Sequence, residues 1–520
     1  MRRVKEVEAR LNSIQTSNLE NASVTVVDLP HDASSTHTQP MPPVLSHETP
    51  IPVQMSLSES DEEINVDALA TEAFQEEAES DIGHFGPSSN HAFFRSLSDI
   101  FARSLNTATL YRNSLRRSTT SLPPAPQPIC LPFPSRSNAE EGDFVISRFT
   151  LEEAVRLIDV YSSSVGAMLP ILNRSKLISD FKILQSGGGS KHQLGVKSTL
   201  LCIVFALAST LESQQQSIQL FQCALDNLKG RKLQSASIEL LQSLLLIVTY
   251  QQNHQMSVTS WTYHALAVKT AYQLGLQSPS NYKEYAVQES EMRKRLWYGL
   301  INQDRMLCIC LGRPLLVPAH HVRTPKLRNP QATVNLLQMR SQQVESIEYY
   351  TNLTSLYELA ASIIELLYND NIDIEEPISA QSILAKRLPI HWQLENWRRQ
   401  LGAKYRIISN DELALASAAL SDDDRFRLVL SVHYYRIAIL VNGPALVHVL
   451  SETLHKLHSS EDCEMLLENV VPVIRNEFSA LRDLHKTVST VLSLDQSFLD
   501  SNGVWFLLNY TCNIQYFFDD

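Results

Sequence analysis

Gly189 and Gly195, followed by Lys197-Ser198, supply the residue types of a loop that cradles phosphate, in which backbone amides bind the anion and a lysine neutralises it. The spacing is one residue too long, Val196 stands where the lysine belongs, and no strand pattern precedes the run. Asp422-Asp423-Asp424 has the composition of a magnesium site for terpenoid chemistry, but the second, Asn/Ser/Glu-type motif is missing. Acids just before Arg425 read more simply as a helix N-terminus, where the backbone dipole favours negative charge. His320-His321 lies in a Pro-flanked loop with no third ligand at useful spacing, and no Gly-x-Ser-x-Gly elbow occurs. Cys308 and Cys310, two apart on a helix, point to different sides and do not chelate one metal easily. The sequence therefore offers no catalytic set, no cofactor-binding set and no metal set, and an enzyme is the least supported reading.

What must carry these residues is a helical body. At 520 residues the chain exceeds what one hydrophobic core usually organises, while a hydrophobic content of 44% is ordinary for a globular protein. The longest apolar runs, Leu200 to Ala208 and Leu244 to Val248, are far short of the roughly 20 residues that cross a bilayer. Charges in Met1-Arg2-Arg3-Val4-Lys5-Glu6 occupy the place of a secretory apolar stretch. The 7 cysteines are scattered, mostly inside apolar segments, and form no Cys-x-x-Cys, which favours reduced, buried thiols in the nucleus or cytosol and gives no zinc site. The net charge is −12, but ten acids between Glu59 and Asp81, with no Lys or Arg among them, account for all but two of it. The acidity is local and says little about the body.

Three regions follow. In 1–17, Val4, Val7, Leu11 and Ile14 keep the a and d spacing of a heptad among charged neighbours, a short coiled-coil-like segment. Two heptads leave a dimer seam and a solvated helix both open. Residues 18–142 are rich in Ser, Thr, Pro and acids, too poor in apolar periodicity to offset ordering entropy, and read as a disordered linker. Within it, Leu57 to Phe85 mixes acids with Ile64, Val66, Leu69, Phe74 and Ile82, the composition of an acidic activation segment or of a plain solvated tract. Arg95, Arg103, Arg112, Arg116 and Arg117 form a loose basic patch around Phe93, Phe94 and Leu97, a weak import-type pattern. The body, 143–520, starts at the capping box Thr150-Leu151-Glu152-Glu153, with Leu151, Val155 and Ile158 as its first helical face. Helical spacing then recurs to the C-terminus without strand alternation or a fixed repeat. The predicted class is all-α: a large irregular multi-helix domain behind a disordered linker.

The informative stretch is Ser260 to Pro325. Trp261, Ala265, Val268 and Tyr272 share a helical face that Gly275 terminates by a left-handed cap. In the next helix Trp297, Ile301, Asp304 and Cys308 share another face, and an aspartate in an apolar stripe is costly unless paired. Arg313 is the expected partner, with Arg293 next; a pocket lined by Asp304 and the arginines is the alternative.

Ser260-Trp261, Ala267, Ala271, Leu274-Gly275-Leu276, Glu291, Arg293, Arg295, Trp297, Asp304-Arg305 and Gly312-Arg313-Pro314 together resemble the signature of the fungal-specific transcription factor domain, the middle homology region of the binuclear zinc-cluster regulators. Tyr434-Tyr435 through Pro444 is similar to a later tyrosine-rich helix of that family, with Val441-Asn442-Gly443 departing from its usual ending, and Pro170-Ile171-Leu172 is similar to its opening motif. The resemblance covers roughly 150–449 and implies a nuclear regulator of transcription, often of metabolic genes. In the family a six-cysteine zinc cluster reads DNA ahead of a basic linker and coiled coil; Arg2 to Ile14 is similar to that linker, with no cluster before it. The resemblance thus implies zinc only in an upstream cluster, promoter DNA only through a missing or partner-supplied reader, the transcription machinery as partner, a possible homodimer, and no membrane. Arg2, Arg3 and Lys5 would at most touch phosphates, without base readout. A co-regulator that docks on another factor is the rival reading.

Overall fold

Thr150 shows how directly local chemistry sets the elements. Its hydroxyl accepts from the Glu153 amide at 3.2 Å while the Glu153 carboxylate accepts from the Thr150 amide at 2.8 Å, and the first long helix of the body begins at the next residue. The computed structural model describes residues 84–104, 146, 148–187, 191–228, 236–254, 256–328, 341–372, 379–408 and 424–455, with single positions between 468 and 482. The chain divides into two units, Met1–Ile64 and Asn65–Asp520, and every described residue belongs to the second. The coiled-coil-like segment, Arg2, Arg3 and Lys5, and most of the acidic segment lie outside the described residues.

The helices are α1 (Asn90–Ser104), α2 (Leu151–Ser163), α3 (Val165–Met168), α4 (Arg174–Ser186), α5 (Lys191–Ser209), α6 (Gln214–Asn227), α7 (Ile238–Asn253), α8 (Ser257–Gln273), α9 (Val287–Leu311), α10 (Ser341–Tyr368), α11 (Ala380–Gln400) and α12 (Arg425–His455). No strand occurs among the described residues, so the fold is all-α as the spacing predicts. Leu200 to Ala208 of α5 and Leu240 to Val248 of α7 are buried on every side, as expected of helices apolar all round. α5 packs against α2, α4, α6 and α7; α7 continues onto α8; α9 joins this group to α10, which carries α11 and α12. The buried stripe of α2 is Ala154, Leu157, Ile158 and Tyr161, whereas Leu151 is 40% exposed. The expected face is thus rotated, because Leu157 and Tyr161 bury more apolar area than Leu151 and Val155.

Two helix ends show why particular residues were needed. After α8 the amide of Leu276 bonds to the Ala271 carbonyl and that of Gly275 to the Tyr272 carbonyl, with Gly275 at φ +68, a Schellman cap. In α12, Pro444 has no N–H for the carbonyl of Leu440, and the Tyr368 hydroxyl donates to that carbonyl at 2.8 Å instead.

α1 corrects the linker reading. The span 18–142 does not lack packing throughout: Phe85, Leu97 and Ile100 are buried, α1 lies against α12, and Phe93 packs on the main core. Phe93 and Leu97, read as part of a basic patch, form the inner face, with Arg95 exposed. Linker composition averaged over many residues hid one short run, Phe85 to Ile100, whose apolar groups fall at helical spacing.

Candidate functional site

Asp304 is fully buried near the C-terminal end of α9 and is the centre of the described signature. One carboxylate oxygen, Oδ1, accepts from the Leu316 amide at 3.1 Å and from His264 Nε2 at 3.2 Å. The other, Oδ2, accepts from Arg305 Nη1 at 2.5 Å and from the Val317 amide at 3.2 Å. Arg305, 1% exposed, also donates from Nη1 to the Val317 carbonyl at 2.6 Å. A desolvated carboxylate is tolerable only when its lone pairs are filled and its charge countered, and both conditions hold. The cluster fastens the return loop after α9 to α9 and, through His264, to α8.

The expected Asp304–Arg313 bridge is therefore corrected. The partner is the adjacent Arg305, because the chain turns back after Pro314 and delivers the Leu316 and Val317 backbone to the carboxylate. Arg313 instead lies over the Trp261 ring at 5.5 Å; its amide donates to the Cys308 carbonyl, and its carbonyl accepts from Asn371 Nδ2 at 3.0 Å. Burial lowers the Arg313 pKa below its usual value. Gly312 holds the turn at φ +63. The Pro314 carbonyl accepts from Cys308 Sγ at 3.2 Å, and burial pushes the Cys308 thiol well up, so it stays protonated.

The remaining signature residues stand elsewhere on the same helix. Arg293 pairs with Glu289 at 2.9 Å and covers the Tyr285 ring at 3.8 Å, so it does not reach Asp304. Glu291 accepts from Lys294 Nζ at 2.8 Å and from the Arg328 amide at 3.2 Å. Arg295 donates to the Met292 sulfur at 3.9 Å, and its carbonyl accepts from the Tyr350 hydroxyl; desolvation lowers its pKa. Trp297, fully buried, meets Tyr272 edge-on at 5.8 Å, and the Tyr272 hydroxyl bonds His321 Nδ1 at 2.8 Å. Lys197 and Ser198, read against a phosphate loop, sit within α5, where Lys197 pairs with Asp180 at 2.6 Å.

Two participants escaped the sequence reading. His264 is three residues from Trp261 on the buried side of α8, and its position in an apolar face was its only signal. Asn371 ends a turn, Asn369-Asp370-Asn371, whose φ values are 47, 56 and 59, a left-handed run that Asn and Asp tolerate best. Its side chain donates to the carbonyls of Cys308 and Arg313 and accepts from the Ser88 amide at 3.0 Å. Such a turn is visible only once α10 and α9 are brought together.

Residues 158–399 match the model described as the fungal specific transcription factor domain. Those residues are a fungal-specific transcription factor domain. It takes in the C-terminal part of α2, α3 to α10 and nearly all of α11, including the whole Asp304 network, while α1 and α12 lie beyond the match. Transcription factor FBD3 of Gibberella moniliformis is 21% identical over 378 residues, covering 69% of this chain and 49% of that protein. The protein of the same name from Fusarium pseudograminearum is 22% identical over 382 residues, with the same coverage. An uncharacterized transcriptional regulatory protein of Schizosaccharomyces pombe is 21% identical over 288 residues, 53% of this chain and 33% of its own length. The chain spans about half the length of the FBD3 proteins it matches.

The zinc cluster associated with this kind of domain finds no fit in the described cysteines. Cys202, Cys223, Cys308 and Cys310 are thiols buried within helices, and Cys202 and Cys223 make a thiol contact of 3.3 Å between α5 and α6. No helix of the described residues is long and apolar enough to cross a membrane.

Proposed function

We propose that this chain is the regulatory body of a nuclear transcription regulator that reaches promoter DNA through a zinc-cluster reader lying outside this sequence or supplied by a partner. The observation that carries the reading is the Asp304 network inside the matched domain. Its carboxylate, guanidinium and imidazole are closed off from solvent and bonded to one another, which supports a scaffold role for the signature. The function is regulatory, not enzymatic, and metabolic genes are the expected targets. Residues 1–17 act as a coiled-coil-like segment, the tract around the packed segment 84–104 as a linker carrying the acidic segment, and 143–520 as the regulatory domain. Zinc belongs to the reader and not to this chain.

The test has two arms. Selection from a randomised duplex pool at moderate salt should enrich no site with this chain alone, because Arg2, Arg3 and Lys5 carry no base readout. Fused in frame behind a six-cysteine module, the chain should enrich a distinct site and change output from a reporter bearing it. Enrichment by the chain alone, or a reporter indifferent to the fused body, overturns the reading.

A further inference from the structure

The segment His84 to Ser104 lies outside the matched domain, yet it is seated on the end of the signature helix. Gly86 donates to the Leu311 carbonyl at 3.3 Å, and the Ser88 hydroxyl lies 3.2 Å from the Cys308 carbonyl and 3.3 Å from that of Ile309. These are carbonyls of the last turn of α9, and that of Cys308 also accepts from the amides of Gly312 and Arg313. The Ser88 amide meanwhile bonds Asn371, whose own side chain holds Cys308 and Arg313. Phe85 forms a small cluster with Val248, Leu307 and Leu311, separate from the main core, and Trp261 and Tyr263 close over it. Two backbones meet with no room for a side chain: a Cβ on Gly86 would lie 2.0 Å from the Gly312 carbonyl oxygen, and one on Gly312 would lie 2.2 Å from the Gly86 oxygen. Beyond the turn, α1 lays Phe93 beside Gly443 of α12 and buries Leu97.

From this geometry we infer that the end of α9, with the Gly312-Arg313-Pro314 turn and Asn371, is a peptide-docking site whose occupant is this chain's own Phe85-Gly86-Pro87-Ser88-Ser89 and the amphipathic helix after it. Recognition has three parts: an aromatic anchor in an apolar cleft, a glycine where backbones touch, and a serine that caps helix carbonyls. The acidic run Glu59 to Asp81 ends three residues before His84. Docking therefore fixes the base of the acidic segment at the signature turn, and undocking frees it. The inference goes beyond the transcriptional role and does not depend on it.

Gly86→Ala, made in the full chain, clashes with Gly312 while leaving every residue of the body as it was. Hydrogen exchange should show amides 89–103 protected in the parent chain and exchanging roughly tenfold or more faster in the variant, with the interior of α9 unchanged. A labelled synthetic peptide of residues 81–104 should bind the variant chain roughly tenfold more tightly than the parent, because the tethered segment competes for the site at high effective concentration. The same peptide carrying Gly86→Ala should not bind. Unprotected 89–103 in the parent chain, unchanged protection in the variant, or a peptide that binds both chains equally or neither would each overturn the inference.

Discussion

At the first turns of α9, Glu289 holds Arg293 at 2.9 Å with 47% of the glutamate side chain still exposed, whereas near the other end Asp304 holds Arg305 at 2.5 Å with at most 1% of either side chain exposed. Both are acid–arginine pairs on one helix, and both belong to the stretch that identifies the domain. Water decides the difference. Beside solvent the pair exchanges one well-hydrated arrangement for another, and its loss costs little. In the interior the two partners are held by each other, together with two amides and an imidazole, and removing one leaves the other without its counter-charge. The helix carries its structural weight at the end where it meets the return loop, α8 and the docked segment.

The largest effect should come from breaking the inner pair. Asp304→Ala leaves Arg305 buried with only the Val317 carbonyl, and should cost roughly 3–5 kcal/mol. Urea denaturation of the variant should show that loss as a lower midpoint. A loss no larger than that of a surface ion pair would mean that Arg305 escapes to solvent, and the comparison would fail.

A buried but neutral pair sharpens the same point. Tyr357 and His433 meet at 2.9 Å, and burial lowers the His433 pKa to about 3 while raising that of the tyrosine. In the unfolded chain a histidine titrates near 6.5. Between these values the unfolded state binds a proton that the folded state does not, so this contribution is fully present above about pH 6.5 and is lost as pH falls toward about 3. Stability measured at pH 7 and pH 5 should differ by on the order of 2 kcal/mol from this residue alone. His433→Gln should flatten that part of the profile; an unaltered slope would place the acid sensitivity elsewhere.

How far the sequence reveals these sites follows from the range of the interactions. The Thr150 capping box and the Gly275 cap are legible because their partners lie within five residues, and burial of Asp304 is legible from the apolar groups one turn away. Its partner was not. The choice between Arg305 and Arg313 depends on the path of the chain after Pro314, and His264 arrives from another helix 40 residues earlier. α1 was missed for a related reason: what orders it is the end of α9 and the face of α12, more than 200 residues away in sequence. Composition averaged over the tract passed over the one segment that another part of the fold selects.

The smallest effect should be at the outer pair, and it is the one that makes the comparison quantitative. Glu289 stands four residues ahead of Arg293, the favourable order on a helix, and Arg293 also covers Tyr285. Glu289→Ala, Arg293→Ala and the double variant form a cycle that isolates the ionic coupling from the lost ring contact. The coupling should be about 0.3–0.5 kcal/mol at low salt and should shrink as salt is added. Arg293→Ala alone should cost more than Glu289→Ala, because it also removes the guanidinium from the Tyr285 face. A coupling approaching that of the Asp304 pair, or one insensitive to salt, would show that the outer pair is shielded from water in solution and would erase the distinction between the two ends of α9.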